Sequence, residues 1–230
     1  MPIDFRPIAR LLTHTVHPAP SVDLSAVDAF LPMMEQDKQG KGVLITVNHY
    51  SAPDFKAWWL AIIISAVFPA KIHWVVTSGW TNSGWLTGFT HWLFPFGAKM
   101  LGFTSMPAMP PDPAEAEQRA VAVRKVLRYA RQTPQPVIGM VPEGRDIPGG
   151  ILGTLPPGVG RFMYLLNQSC PQVLPVGVWT DESRINLKFG SPYQLEVPTG
   201  ISAHECDKLV GDTVMRHIAQ CLPERLRREY

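Results

Sequence analysis

Short runs of β-branched and apolar residues alternate along the chain with stretches whose apolar positions recur every three to four residues, the pattern of strands interleaved with helices. Buried strands are expected at Val43–Val47, Ile72–Thr77, Pro136–Val141 and Val173–Val178, where apolar residues run on without alternation. A fifth strand, Ile185–Phe189, sets Ile185, Leu187 and Phe189 between polar residues and suits an exposed sheet edge. A helix is expected from Phe55 to Val67. Asp112, Pro113 and Glu115 read as N-cap, first-turn proline and capping box of another, which runs to about Gln132 with Val123, Leu127 and Ala130 on one face. Ser202 and Glu205 repeat the capping-box pattern before a helix whose Leu209, Val210, Val214, Ile218 and Cys221 recur at helical spacing until Pro223. The fold class is therefore α/β: a mixed, largely parallel central sheet flanked by helices. One domain spans residues 1–230, with an N-terminal segment 1–40 of unread role, a core over 41–200 and a C-terminal helix in 201–230.

Composition narrows the function classes. The chain has 230 residues, 46% of them hydrophobic, enough for one large core. Its 21 Lys+Arg against 19 Asp+Glu are too balanced to hold a nucleic acid by charge or to keep a polyelectrolyte disordered. A charged fraction of 17% and a mean hydropathy of +0.02 make it greasier than most soluble domains, which brings lipid into view. The longest strongly apolar run, Ala57 to Ala70, is shorter than the roughly 20 residues of a spanning helix. The first residues carry charges and no sustained apolar run, so a cytoplasmic site of action is expected. Cys170, Cys206 and Cys221 fit neither a disulfide framework nor a zinc ribbon and suit a reducing compartment. Trp58, Trp59, Trp74, Trp80, Trp85 and Trp92 cluster with Phe89, Phe94 and Phe96; a bilayer interface, the mouth of an acyl pocket and an aromatic core all explain such a cluster. The basic tail Arg225, Arg227 and Arg228 reads as a solvated helix end, with anionic headgroups as the alternative contact.

Candidate chemistry collects where expected strands end, the usual place for sites in α/β proteins. Val43–Val47 runs into Asn48, His49 and, five positions after the histidine, Asp54. A carboxylate folded back onto that imidazole would fix its tautomer and stabilise its charged form, half of a proton-transfer device. Ser51 and Asp54 also fit a helix N-cap, and His49 a satisfied strand-end histidine, so the bland reading stays open. No G-x-S-x-G elbow occurs and no cysteine has a reactive-looking context, so the nucleophile is expected to belong to the substrate. The strand over 136–141 ends in Pro142-Glu143-Gly144-Arg145-Asp146, a carboxylate and a guanidinium beside a glycine that permits close approach. The loop continuing to Gly160 is rich in proline and glycine and long enough to suggest function. A metal-dependent hydrolase using His49, Asp54 and His73 or His91 lacks the paired-histidine spacing of zinc sites.

In order and spacing these motifs resemble the glycerolipid acyltransferase family, the PlsC-like lysophospholipid acyltransferases. Asn48, His49 and Asp54 match its N-H-x-x-x-x-D motif, and Pro142, Glu143 and Gly144 match part of its F-P-E-G-T-R motif. Val173-Leu174-Pro175-Val176 resembles its fourth motif, Gly158 to Leu166 its glycine-started helix, and Leu187 to Pro192 its late strand and turn. The resemblance implies transfer of a fatty acyl group from a thioester, on coenzyme A or acyl carrier protein, to a lipid hydroxyl, as in phospholipid biosynthesis. It implies His49 as general base and Asp54 as its orienting partner, with Asn48, Glu143, Gly144 and Arg145 toward substrate. No cofactor, metal or covalent acyl-enzyme is implied, and the protein would sit peripherally on the inner face of a membrane. A non-catalytic acyl-chain-binding protein on the same scaffold is the alternative. The family's second motif ends in an arginine that holds an acceptor phosphate, whereas Phe96 to Pro110 carries Lys99 as its one cation. Arg145 and Asp146 stand where the third motif has Thr-Arg. An acceptor with another headgroup, or an uncharged one, is therefore expected.

Overall fold

A computed structural model describes residues 3–36, 41–52, 55, 57–77, 96–107, 112–145 and 148–230. The strands, in chain order, are β1 (Ser21–Asp23), β2 (Val43–Val47), β3 (Ile72–Thr77), β4 (Thr104–Met106), β5 (Val137–Met140), β6 (Gln172–Asp181), β7 (Arg184–Phe189) and β8 (Tyr193–Gln194). The helices are α1 (Phe5–Thr13), α2 (Ser25–Gln36), α3 (Trp58–Val67), α4 (Ala116–Gln132), α5 (Val159–Asn167) and α6 (Ala203–Gln220), with a further helical turn over 96–101. Among the described residues the strands form one sheet in the order β1-β7-β6-β2-β5-β3-β4, with β8 also on β6.

β2 lies between β5 and β6, parallel to both, and all five of its residues are buried. Its unbroken Val-Leu-Ile-Thr-Val run is what a strand covered on both faces requires. β3 is parallel to β5 and β4, whereas β6 runs antiparallel to β7 and β8. The alternation of β7 is observed, with Ile185, Leu187 and Phe189 buried and Arg184 and Lys188 exposed. Its cause differs from expectation: β7 is an inner strand, because β1 pairs beside it in parallel from Ser21↔Asn186 to Asp23↔Lys188.

The unread N-terminal segment is a structural arm. Asp4 caps α1 by accepting from the Arg6 amide at 3.0 Å, and the Arg6 side chain closes on the same carboxylate at 2.8 Å. Arg6 Nη1 donates to the Pro69 carbonyl, and Arg10 Nε donates to Ala66 O at 3.2 Å. Cations from α1 thus meet the carbonyl end of α3, where the helix dipole is negative. Ala9 is fully buried against this contact.

Both capping expectations have a structural counterpart. Asp112 accepts from the Ala114 amide and starts a 3-10 turn, Pro113–Glu115, that feeds α4, while Glu115 lies 3.7 Å from Arg119. Ser202 and Glu205 form the reciprocal capping box of α6. On α6 Val210, Val214 and Ile218 are buried, but Leu209 turns outward at 36% exposure. Trp74 settles its share of the tryptophan question: it is 1% exposed, donates to Ser65 Oγ at 2.8 Å, and fills the space left by Gly139, where a Cβ would stand 2.6 Å from its ring. Trp80, Trp85, Trp92, Phe89 and Phe94 lie outside the described residues.

The helices behind the site cross closely. Asp207 of α6 accepts from the Gly158 and Arg161 amides at 2.7 and 2.8 Å and so caps α5 from a neighbouring helix. A Cβ at Gly160 would stand 2.0 Å from the Asp207 carbonyl oxygen. Gly160→Ala is therefore expected to cost about 3 kcal/mol or more in chemical denaturation, because backbone must yield. Gly97→Ala, in the turn over 96–101 with nothing within 4 Å of the added carbon, is expected to be neutral or slightly stabilising in the same measurement.

Candidate active site

The parallel arrangement of β2, β5 and β6 brings the two expected clusters together, since strands running the same way end at one edge of the sheet. Three consecutive residues leave β2 there, and each is fastened to a different place. Asn48 is 1% exposed; its Nδ2 donates to Val178 O at 2.9 Å and its Oδ1 accepts from Val178 N at 2.7 Å. The amide side chain thereby continues on β6 the pairing that the β2 backbone abandons after Val47↔Val176.

His49 is half-buried, and its backbone N–H donates to Glu143 Oε2 at 2.5 Å. Glu143 follows β5, is 1% exposed, and with Oε1 accepts from the Gly153 amide, also at 2.5 Å. Burial pushes this carboxyl above the usual carboxylate range, while the two amide donors and nearby Arg145 pull it back. Gly144 turns the chain away from it with φ +64°, a left-handed conformation that glycine adopts without strain. Arg145 is exposed at the sheet edge.

The Tyr50 hydroxyl lies 2.7 Å from Thr180 Oγ1 on β6, and its ring meets Phe55 edge-on at 5.3 Å. Gly150 packs against the same ring: a Cβ there would stand 2.4 Å from Tyr50 Cε2. After Tyr50 the chain turns, with Phe55 N donating to Ala52 O at 3.0 Å, and α3 begins at Trp58 rather than Phe55. The N-cap of α3 is Ala57, which makes no side-chain cap, so the N-cap reading of Ser51 is not realised. Asp54 and Asp146 lie outside the described residues.

The structure thus gathers Asn48, His49, Glu143, Gly144 and Arg145 at one edge. Asn48 and Glu143, expected to face the substrate, have their polar atoms on backbone groups of β6, His49 and Gly153. Their contribution to the geometry is to hold the backbone on either side of the imidazole. Tyr50, Thr180, Gly150 and Gly153 complete the arrangement and escape sequence reasoning. Only the glycines had a signal, the long proline- and glycine-rich loop.

Other candidates lie elsewhere. His73, on β3, is 4% exposed, with Nε2 2.9 Å from Thr104 Oγ1 and its ring stacked on Tyr129 at 3.9 Å. It is a core histidine, and among the described residues no cluster of metal-binding side chains occurs; His91 lies outside them. All three cysteines are buried, and burial pushes the thiols up, to about 12 for Cys170 and about 11 for Cys221, which denies them a thiolate at neutral pH.

No protein-family model matches the chain, and no curated protein matches it in sequence. In three dimensions it is similar to the crystal structure of PlsC, the 1-acyl-sn-glycerophosphate (LPA) acyltransferase from Thermotoga maritima. The TM-score is 0.54 at 15% identity, over 94% of this chain and 78% of that one. The class this defines is a PlsC-like acyltransferase fold: a mostly parallel sheet with helices on both sides.

His73 sets a pH dependence of stability. Burial first, then the charges of Lys125 and Lys71, holds its pKa at about 4 in the fold against 6.5 unperturbed. Between those values the unfolded chain binds the proton and the native one does not. Stability is therefore full above about pH 6.5 and falls as the pH drops toward 4, by up to about 3 kcal/mol at roughly 1.4 kcal/mol per unit. Denaturant midpoints measured across this range should show the loss in the wild type and a flatter profile in His73→Gln.

Proposed function

We propose that the protein transfers a fatty acyl group from a thioester, carried by coenzyme A or acyl carrier protein, to the hydroxyl of a lipid acceptor. The observation that carries this reading is the placement of His49: it leaves the central strand of an acyltransferase-like fold and is fastened through its backbone to the Glu143 loop. An imidazole so held takes the acceptor's hydroxyl proton as the oxygen attacks the thioester carbonyl. The C–S bond then breaks, and the leaving thiolate recovers the proton from the imidazolium. Asp54 orients and stabilises the imidazole. Gly144 and the exposed Arg145 face the acceptor, while Asn48 and Glu143 keep the histidine's backbone in place. Three buried cysteines with raised thiol pKa support direct transfer over a cysteine acyl-enzyme.

An acceptor without a phosphate is favoured, because the described part of the segment 96–107 offers Lys99 as its one cation. His49→Ala is expected to lower acceptor-dependent thiol release from a long-chain acyl-coenzyme A by about 10²- to 10⁴-fold while leaving the thermal melting point within a few degrees. Undiminished release in that variant overturns the assignment. No release from the wild type over a broad panel of lyso-lipids and neutral alcohols, with the acyl chain still bound, favours the non-catalytic binding protein.

Among the described residues no helix is long and apolar enough to cross a membrane. Peripheral association is supported by α1, which packs on α3 and leaves Leu11 70% and Ile8 40% exposed, and by Trp58, 45% exposed at the start of α3. Leu11→Asp should weaken sedimentation with vesicles of mixed zwitterionic and anionic phospholipid by about tenfold, since one buried leucine is worth roughly 1.5–3 kcal/mol. Equal sedimentation of both proteins argues against this surface.

A further inference from the structure

The segment 223–230 reaches back to the candidate site. The Leu226 carbonyl accepts from the Leu152 amide at 2.9 Å, and both side chains are buried. Beyond it, the half-buried Tyr230 donates its hydroxyl to the Gly153 carbonyl at 3.3 Å. Gly153 is the residue whose N–H holds Glu143 Oε1, and Glu143 Oε2 holds the His49 N–H. Hydrogen bonds thus run from the phenol through a glycine and a buried carboxylate to the backbone of the proposed base. On the other side of the loop Gly150 rests on the Tyr50 ring, so residues 150–153 are held between the β2 exit and the segment 223–230.

Resting on the acyl-transfer reading above, we propose that Tyr230 is a positioning residue of the site: by fixing Gly153 it keeps Glu143 engaged with the His49 backbone. The glycines make this necessary. Gly149 and Gly150 both adopt positive φ, +77° and +66°, and a loop built from them has little side-chain bulk of its own to hold a conformation. Leu152 and the phenol supply what the loop lacks, one by burial and one by a directional bond. Burial, with the charge of Asp212, pushes the phenol above its ordinary value, so it remains a donor across the physiological range.

Tyr230→Phe removes the hydroxyl and keeps the ring, which preserves folding. Steady-state kinetics should show kcat about fivefold lower with both KM values within about twofold. In Glu143→Gln, where the link is already broken, adding Tyr230→Phe should cost nothing more, whereas independent roles would multiply the two losses. Amide hydrogen exchange supplies a readout without turnover: Tyr230→Phe should speed exchange at Gly153 and His49 by about tenfold and leave the β2 amides unchanged. Unchanged exchange at both amides, or full multiplication of the losses, overturns the proposal. A wild type inactive with every donor and acceptor counts against the acyl-transfer reading alone, and the exchange comparison still decides whether the clamp exists.

Discussion

The site depends on one carboxylate buried where three loops meet. Glu143 has almost no contact with solvent, and a charge there is costly unless donors surround it. Its two oxygens accept backbone amides from His49 and Gly153, so the groups that offset its burial are the segments it must join. Asn48 plays the matching part on the other side of the histidine, presenting its side chain to Val178 as if it were one more strand residue. An imidazole between two such fixed points needs little reorganisation before it meets a substrate, which is how positioning becomes rate.

The rest of the fold serves that junction. β2 is buried throughout and parallel to both neighbours, which puts its end beside the end of β5 and against the far half of β6. α3, which follows the candidate motif, is braced at its far end by Arg6 and Arg10 of α1. The loop after Glu143 is stacked on Tyr50 and tied to Leu226. Segments distant in sequence therefore converge on a few residues at one sheet edge.

Much of this was legible from local chemistry. The strands at Val43–Val47 and Ile72–Thr77, the cap at Asp112 and the box at Ser202 and Glu205 match the structure because each rests on short-range preferences: apolar runs, capping side chains and first-turn proline. What escaped was set by partners far along the chain. Three-residue β1 and β4 carry too short a pattern to read, and the edge assignment of Ile185–Phe189 failed because β1 arrives from the unread N-terminal arm. At the site, motif spacing located Asn48, His49 and Glu143. It carried no information that the Asn48 amide and the Glu143 carboxylate close on backbone, because those partners lie 130, 94 and 10 positions away. Tyr230 was invisible for the same reason, lying 77 positions from the glycine it binds.

The account stands on the bond between the Glu143 carboxylate and the His49 amide. Its most direct test is an NMR titration that follows the Glu143 side-chain carbon and the His49 amide proton together. The account predicts a carboxyl that titrates above its ordinary 4.5 and an amide proton that shifts upfield in the same transition as the accepting oxygen gains its proton. An amide proton that stays still through the carboxyl's titration, or a carboxyl that titrates at its ordinary value, would contradict it.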